Sequence, residues 1–423
     1  MQAEVLSIGT ELLLGEITDT NAQHISAKLK EIGVDVYRRA TVGDNLGRVR
    51  DCFREALCRA DIVIASGGLG PTSDDVTAEA LGLALGRRLE FSDEAWEKMC
   101  RFFERRGRRP SEADKKQALV VQGAVLLDNR HGTAPGQAVQ CDGKLAVILP
   151  GPPREMIPML EDQVLPLIRK LFPSLIPIEI RNLKLVGIPE SRVQEVLADL
   201  MESANPSLAP YVGIAEIRLR IAARSFSPNE ARLLISQVES EIRMRLGKHV
   251  YGADDDTLES ACGELMVKRG LTLATAESVT GGLLSHRITQ VPGSSRYFKV
   301  GMVAYDPAIK ATCLGVPGEA LRRNQAVSAD VAVSMAKNVM ALAGAKIGLS
   351  TTGFAGPGGG TAEEPVGTVY VGLAHQGGTR VDRQVYAGSR ASIKEFAAQR
   401  ALVVLWEYLS SLPASHEGRG GLR

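Results

Sequence analysis

The chain has 423 residues, enough for two or three domains that each bury a core of their own. Its 50 basic and 49 acidic residues leave a net charge of +1, which gives no global electrostatic argument for nucleic acid or membrane as a partner. Six scattered cysteines without a CxxC pair argue against a disulfide framework and a zinc site, and no apolar run of transmembrane length or leader pattern appears, so a cytoplasmic protein is expected.

Residues 3–8 read as a buried strand running into Gly9-Thr10-Glu11, and 21–32 have helical periodicity that Gly33 stops. A strand over 34–41 ends at Gly43-Asp44-Asn45. The pattern then repeats as helix 46–59, strand 61–65, a glycine turn over 66–75 and helix 77–85. Alternating strand and helix with short connections predicts a parallel, doubly wound sheet whose ligands sit at the carboxyl ends of the strands. Those ends hold Thr10, Glu11, Asp44 and the turn containing Gly67, Gly68, Gly70, Thr72 and Asp75. Glycines there let backbone approach a phosphate, and the following helix N-terminus offers N–H groups; the plainer alternative is a loop in which Asp75 only caps the helix. Proline- and glycine-rich segments over 129–137 and 149–156, including Pro150 and Gly151, are expected to complete this pocket. Arg154 either meets a phosphate there or pairs with Glu155. The basic run 101–109 reads as a solvated helix face with Trp96, Met99, Phe102 and Phe103 turned inward rather than as a nucleic-acid patch.

Prolines over 173–177 mark a boundary. A smaller unit follows: strand 181–186, helix 191–201, strand 216–223 and helix 228–246, with no GXXG loop flanked by basic residues, so a structural connector is expected. Residues 253–257 read as a second hinge and 413–423 as a disordered tail.

In the last third, a strand over 271–274 leads through Glu277-Ser278-Val279-Thr280-Gly281-Gly282 into a helix that starts near Leu283. A serine at such a turn can lie over the helix N-terminus, where N–H groups favour developing negative charge, so Ser278 is the nucleophile candidate. Its base would be Lys310, which follows a strand over 299–305 and needs burial to hold its pKa down; Tyr305 can orient or relay the proton. His286 lies two turns into the helix and faces away. The plainer reading has Ser278 as a cap, Tyr305 as packing and Lys310 in solvent. Helix 326–343, strand 347–352, loop 353–361, strand 368–374 and helix 393–409 complete the pattern, with Thr352, Gly353, Gly356 and Gly358 placed to wrap a phosphate or ribose and Arg390 placed as a phosphate clamp.

AESVTGG, VPGSSRYF, the Tyr-x4-Lys of AYDPAIK, NQAVS, TTGFAGPGGGTAEEPVGTVYVGLA and GSR together resemble the C-terminal domain of the competence/damage-inducible CinA family, which is similar to nicotinamide mononucleotide deamidases. IGTELLLGEITDTN, SGGLGPTSDDVTAEAL, GTAPGQ and LPGPPREM resemble the molybdopterin-binding fold in that family's N-terminal domain, and the middle segment is similar to its KH-like connector. The resemblance implies an α/β chain with three parts: a doubly wound molybdopterin-binding-like domain over 1–172, an α+β KH-like connector over 178–252, and an α/β/α deamidase domain over 257–412. It implies catalysis by Ser278, Tyr305 and Lys310. Glu277, Thr280, Gly281, Gly282, Thr352, Gly353, Gly356, Gly358 and Arg390 would bind nicotinamide mononucleotide, with no cofactor. It further implies ADP-ribose hydrolysis in the N-terminal pocket, where Thr10, Glu11, Gly67, Gly68, Gly70, Thr72, Pro150 and Gly151 bind substrate and Asp44 and Asp75 hold Mg²⁺, Mn²⁺ or Co²⁺. A homodimer without nucleic-acid or membrane partners is expected; a competence-associated scaffold with vestigial pockets is the alternative. Two departures stand out: Val279 occupies a position where the family commonly has Cys, and Asp306-Pro307 stand where Ser-Asn is common.

Overall fold

The computed structural model describes residues 1–322 and 326–413. Asn324 and Gln325 of the NQAVS motif, and residues 414–423 of the expected tail, lie outside the described residues. The chain divides into two compact units, Met1–Glu179 with Ala223–Arg232 and Ile180–Ala222 with Leu233–Arg423.

The first unit is built on a six-stranded sheet in the order Asp35–Val42, Gln2–Ile8, Ile62–Ser66, Lys144–Leu149, Gly136–Cys141, Val125–Leu127. The first four strands are parallel, as expected from the strand–helix alternation, but the last two pair antiparallel, so the sheet is mixed. The cause is the two-residue turn Asp142-Gly143, both at positive φ (49° and 76°), a geometry that folds a strand straight back on its neighbour. Because successive side chains alternate across the sheet, two cores form. Val5, Ile62 and Ile64 meet Ile25 and Leu29 of helix Thr20–Glu31 on one face. On the other, Leu6, Val63 and Ala65 meet Val49 and Phe53 of helix Leu46–Arg59 and Leu81 of helix Thr77–Leu85. The helix Asp93–Glu104 buries Met99 fully and Trp96, Phe102 and Phe103 partly, while Arg106 lies 3.6 Å over the Phe102 ring, as a solvated amphipathic face does.

The second unit carries a five-stranded sheet and most of a four-stranded one. The four-stranded one runs Ser207–Gly213, Glu216–Arg224, Ile178–Leu185, Val250–Ala253, with helices Glu190–Met201 and Pro228–Leu246. The expected hinge over 253–257 is pinned instead. Asp254 accepts from the Asn182 N–H (3.0 Å) and pairs with Arg181, Asp256 accepts from the Ala253 N–H (2.8 Å), and Thr257 forms a capping box with Ser260 at the start of helix Leu258–Lys268. The five-stranded sheet runs Phe298–Val303, Leu273–Glu277, Ile347–Gly353, Thr368–His375, Gly378–Val385. Its first three strands are parallel and its last two antiparallel. Leu273 and Leu349 face the long helix Arg390–Ser411, whereas Ala274 and Ala276 face helix Ala329–Leu342. Small alanines on that second face let the helix close tightly over the strand that leads to Ser278. Among the described residues, no helix is long and apolar enough to cross a membrane.

Candidate functional site

Two constellations emerge, one in each unit. In the second unit, strands Leu273–Glu277 and Phe298–Val303 run side by side with Glu277 opposite Val303, and the Ala304 N–H donates to the Glu277 carbonyl at 2.8 Å. Ser278 and the segment carrying Tyr305 and Lys310 therefore leave the sheet at the same carboxyl edge. Ser278 is buried at the turn, its N–H donating to the Thr351 carbonyl at 2.9 Å. Lys310 sits on the short helix Pro307–Thr312 and is only 3% exposed. Burial pushes its ammonium down from 10.5 to about 8, against the opposing pull of the Asp306 carboxylate. Among the described residues the Lys310 side chain has no ion pair or hydrogen bond, and Ser278 has no hydrogen bond to Lys310 or Tyr305; such contacts often tighten only when substrate arrives. Lys310 is thus not the solvated surface lysine of the plainer reading.

Glu277 is fully buried, and its carboxylate accepts five hydrogen bonds: from the N–H groups of Gly282 (2.9 Å), Leu284 (3.1 Å) and Ser285 (2.8 Å), and from the hydroxyls of Thr280 (2.7 Å) and Ser285 (2.5 Å). It occupies the N-terminus of helix Leu283–Gln290, where the sequence suggested an oxyanion site. The Gly281 N–H is also engaged, by the Ser278 carbonyl at 3.2 Å. Among the described residues the donors left at this turn are the N–H groups of Val279 and Thr280. Glu277 and the fully buried Thr280 and Thr352 therefore support the site from behind and do not line it; Thr280 also bonds the Thr351 hydroxyl (2.7 Å), and Thr352 the Ala326 carbonyl (3.2 Å).

Arg390, expected as a phosphate clamp, already serves two acceptors within the unit. Its guanidinium donates to the Tyr305 phenol oxygen at 2.6 Å and to the Gly356 carbonyl at 2.8 Å, so it ties the glycine loop to the catalytic tyrosine candidate. Gly353, at the end of its strand, and Gly358 lie in the same segment. Asp306 is a helix cap, accepting from the Ala308 N–H at 2.7 Å, and Val279 packs into the core under the turn.

In the first unit a cavity of about 600 Å³ opens at the carboxyl ends of the parallel strands, within the size range of nucleotide sites. Glu11, Gly67, Gly68, Gly70, Pro150 and Gly151 line it, as do Asp44 and Asp75; Thr10 and Thr72 do not, and act instead by hydrogen-bonding the two aspartates. Asp44 accepts from the Thr10 N–H (2.8 Å) and hydroxyl (2.9 Å), and Asp75 from the Thr72 N–H (2.9 Å) and hydroxyl (2.5 Å). Gly67 is obligatory: φ is 110° and a Cβ would lie 2.0 Å from the Ile8 carbonyl oxygen. Four further carboxyl-bearing residues, Glu11, Asp19, Asp74 and Glu155, border the cavity, and among the described residues no Lys, Arg or His does. Arg154 is exposed and lies 3.8 Å from Glu155, the second of its two expected roles. Among the described residues no group of three or more His, Cys, Asp or Glu is gathered to hold an ion. Two carboxylates on one cavity still suit Mg²⁺-like ions, which take one or two protein oxygens and complete their shell from phosphate and water. Sequence reasoning missed Asn21 and Gln117, which also line this cavity; Asn21 stood in the ITDTN stretch, whereas Gln117 carried no pattern at all.

Three family models match the chain: "Probable molybdopterin binding domain" over residues 4–170, "Damage-inducible protein CinA KH domain" over 180–252 and "CinA C-terminal domain" over 255–409. A relative from Moorella thermoacetica, named "Putative competence-damage inducible protein", is 47% identical over 409 residues, covering 97% of this chain and 99% of that protein. One of the same name from Symbiobacterium thermophilum is 45% identical over 421 residues, covering 97% and 99%. A solved structure from Thermoplasma acidophilum, described as the protein CinA with unknown function, is 33% identical and covers 39% of this chain and 98% of its own, with a TM-score of 0.37. With a molybdopterin-binding-like domain, a KH-like connector and a CinA C-terminal α/β domain in that order, and near-complete coverage at these identities, the chain belongs to the competence/damage-inducible CinA family.

Proposed function

We propose that the chain is a two-site hydrolase of pyridine-nucleotide salvage. In the second unit, Ser278 Oγ attacks the carboxamide carbon of nicotinamide mononucleotide and Lys310 takes the hydroxyl proton. The Val279 and Thr280 N–H groups steady the oxyanion, Tyr305 helps deliver a proton to the departing ammonia, and water then cleaves the acyl-enzyme to nicotinic acid mononucleotide and free serine. The observation that carries this reading is the buried Lys310, whose lowered pKa leaves a useful fraction of neutral amine near pH 8 at the same sheet edge as Ser278. An ammonia-release assay with nicotinamide mononucleotide tests it, and absence of turnover over neutral to mildly basic pH would leave the scaffold reading in its place.

In the first unit the favoured substrate is ADP-ribose, cleaved to AMP and ribose 5-phosphate. The cavity is acidic and among the described residues has no cationic lining residue, so a diphosphate enters only with a counter-cation. A divalent ion held by Asp44 and Asp75 would neutralise the diphosphate and polarise its phosphorus. Thr10 and Thr72 aim those carboxylates, and the backbone at Gly67, Gly68 and Gly151 allows close approach of the phosphates. Ribose 5-phosphate and AMP released from ADP-ribose, assayed with and without added magnesium, test this second activity. The working form is proposed to be a homodimer in the cytoplasm, which sedimentation and fractionation check.

A further inference from the structure

We infer that Gln117 recognises an amino group on the ligand of the N-terminal cavity and so selects a 6-aminopurine over a 6-oxopurine; the inference rests on the nucleotide reading of that cavity. Gln117 is 8% exposed, and its Nε2 donates to the Leu69 carbonyl at 3.1 Å. A carbonyl oxygen only accepts, so the reversed amide would set two acceptors against each other, and the orientation is determined. The Oε1 atom that results is buried and has no hydrogen-bond partner among the described residues. A buried acceptor left unmade is costly, which in a cavity wall points to an occupant that donates.

The same logic holds at Asn21. Its Nδ2 donates to the Ser66 hydroxyl (2.8 Å) and to the Gly151 carbonyl (2.7 Å), and its Oδ1 is likewise buried without a partner. The two acceptors sit in different surroundings. Asn21 lies at the strand ends beside Ser66 and Gly151, where backbone can approach phosphate and ribose. Gln117 instead borders both the cavity and an adjoining slot of about 50 Å³, where Leu69, Ala78, Leu89 and Leu119 stand beside the polar Asp75, Glu79, Lys116 and Gln137. The aliphatic part of that wall suits the flat face of a base, and a fixed acceptor beside it suits that base's exocyclic amine. Adenine presents N–H donors at position 6. Hypoxanthine presents an oxygen there, which would oppose Oε1 lone pair to lone pair, and a site built around one hydrogen bond rejects the analogue that cannot make it. Asn21 would then accept from a ribose hydroxyl.

The test is calorimetric binding of AMP and IMP to the full chain in magnesium-containing buffer, alongside hydrolysis of ADP-ribose and of its inosine analogue. The wild-type protein is expected to bind AMP at least about tenfold more tightly than IMP. Gln117→Leu should bring the two within about twofold, chiefly by weakening AMP. Gln117→Glu loses the tether to Leu69 as the leucine variant does, yet keeps acceptor oxygens, and should retain the preference for AMP. Equal binding of AMP and IMP by the wild type, binding of neither, or an equal loss of both in Gln117→Leu overturns the inference, because Gln117 would then hold only the turn or a water. Failure of the hydrolysis reading shows differently: purine discrimination would persist with no cleavage of ADP-ribose.

Discussion

The guanidinium of Arg390 donates to the phenol oxygen of Tyr305 at 2.6 Å, although 85 residues separate them, and its other nitrogen holds the Gly356 carbonyl at 2.8 Å. Tyr305 is 58% exposed, so little else fixes its ring. Arg390→Lys keeps the charge but cannot span both acceptors, and misplacing the tyrosine should lower kcat for ammonia release about 10- to 100-fold. The check is a kcat-against-KM comparison: a change confined to KM would return Arg390 to the phosphate-clamp role.

Ser278→Ala removes the attacking oxygen and little contact area. Ammonia release should fall at least about a thousandfold while nicotinamide mononucleotide binding persists. Near wild-type turnover in this variant would falsify the serine mechanism.

Lys310 works as a base only when neutral. With its pKa pushed down to about 8, the neutral fraction grows as pH rises through that value and shrinks about tenfold per unit well below it. The rate of deamidation should therefore climb between pH 6 and about 8 and level off above it. Lys310→Arg, charged at any working pH, should be nearly inactive throughout and show no such rise.

Glu277 satisfies five donors from a fully buried position. Glu277→Gln removes the charge and turns an NH₂ group toward N–H donors, which should destabilise the unit by about 2–3 kcal/mol. A lowered melting transition measures this, and an unchanged one would show that the turn is held by other contacts.

Asp75 and the Ser278 site belong to different units, and only the first is proposed to use a metal ion. EDTA, or Asp75→Ala, should stop ADP-ribose hydrolysis and leave deamidation within a few-fold. Joint loss on one preparation would mean a shared site or a metal-dependent fold, and the two-site reading would fall.

Helices with clear punctuation were legible in the sequence. Leu46–Arg59 is capped by Asn45, and Thr77–Leu85 ends at the left-handed Gly86. Pro228–Leu246 is followed by Gly247, also at positive φ. Strand Gly378–Val385 escaped because it lies at a sheet edge and is largely exposed, so its sequence shows no apolar alternation. The Asp142-Gly143 hairpin carried a strong turn signal, but its strands are short and its partner Lys144–Leu149 reads equally well as parallel. Within the site, residue types and spacing made Ser278, Tyr305 and Lys310 candidates beside the plainer reading of a cap, a packed ring and a solvated lysine, and the family resemblance is what favoured catalysis. The role of Glu277 was hidden, because a strand-terminal carboxylate can face solvent or fold back over the next helix, and only coordinates distinguish the two. Gln117 stands in a polar stretch with nothing periodic about it, and its interest comes from an amide half satisfied by a turn 48 residues away.

Val279 is packed beneath the serine turn and is only 4% exposed. Its isopropyl group offers nothing to peroxide, to disulfide exchange or to alkylating reagents, whereas a thiol in its place would meet them whenever the turn opened. Under the proposed mechanism the turn thus holds no side chain that an oxidant could change, and turnover would follow proton concentration through Lys310.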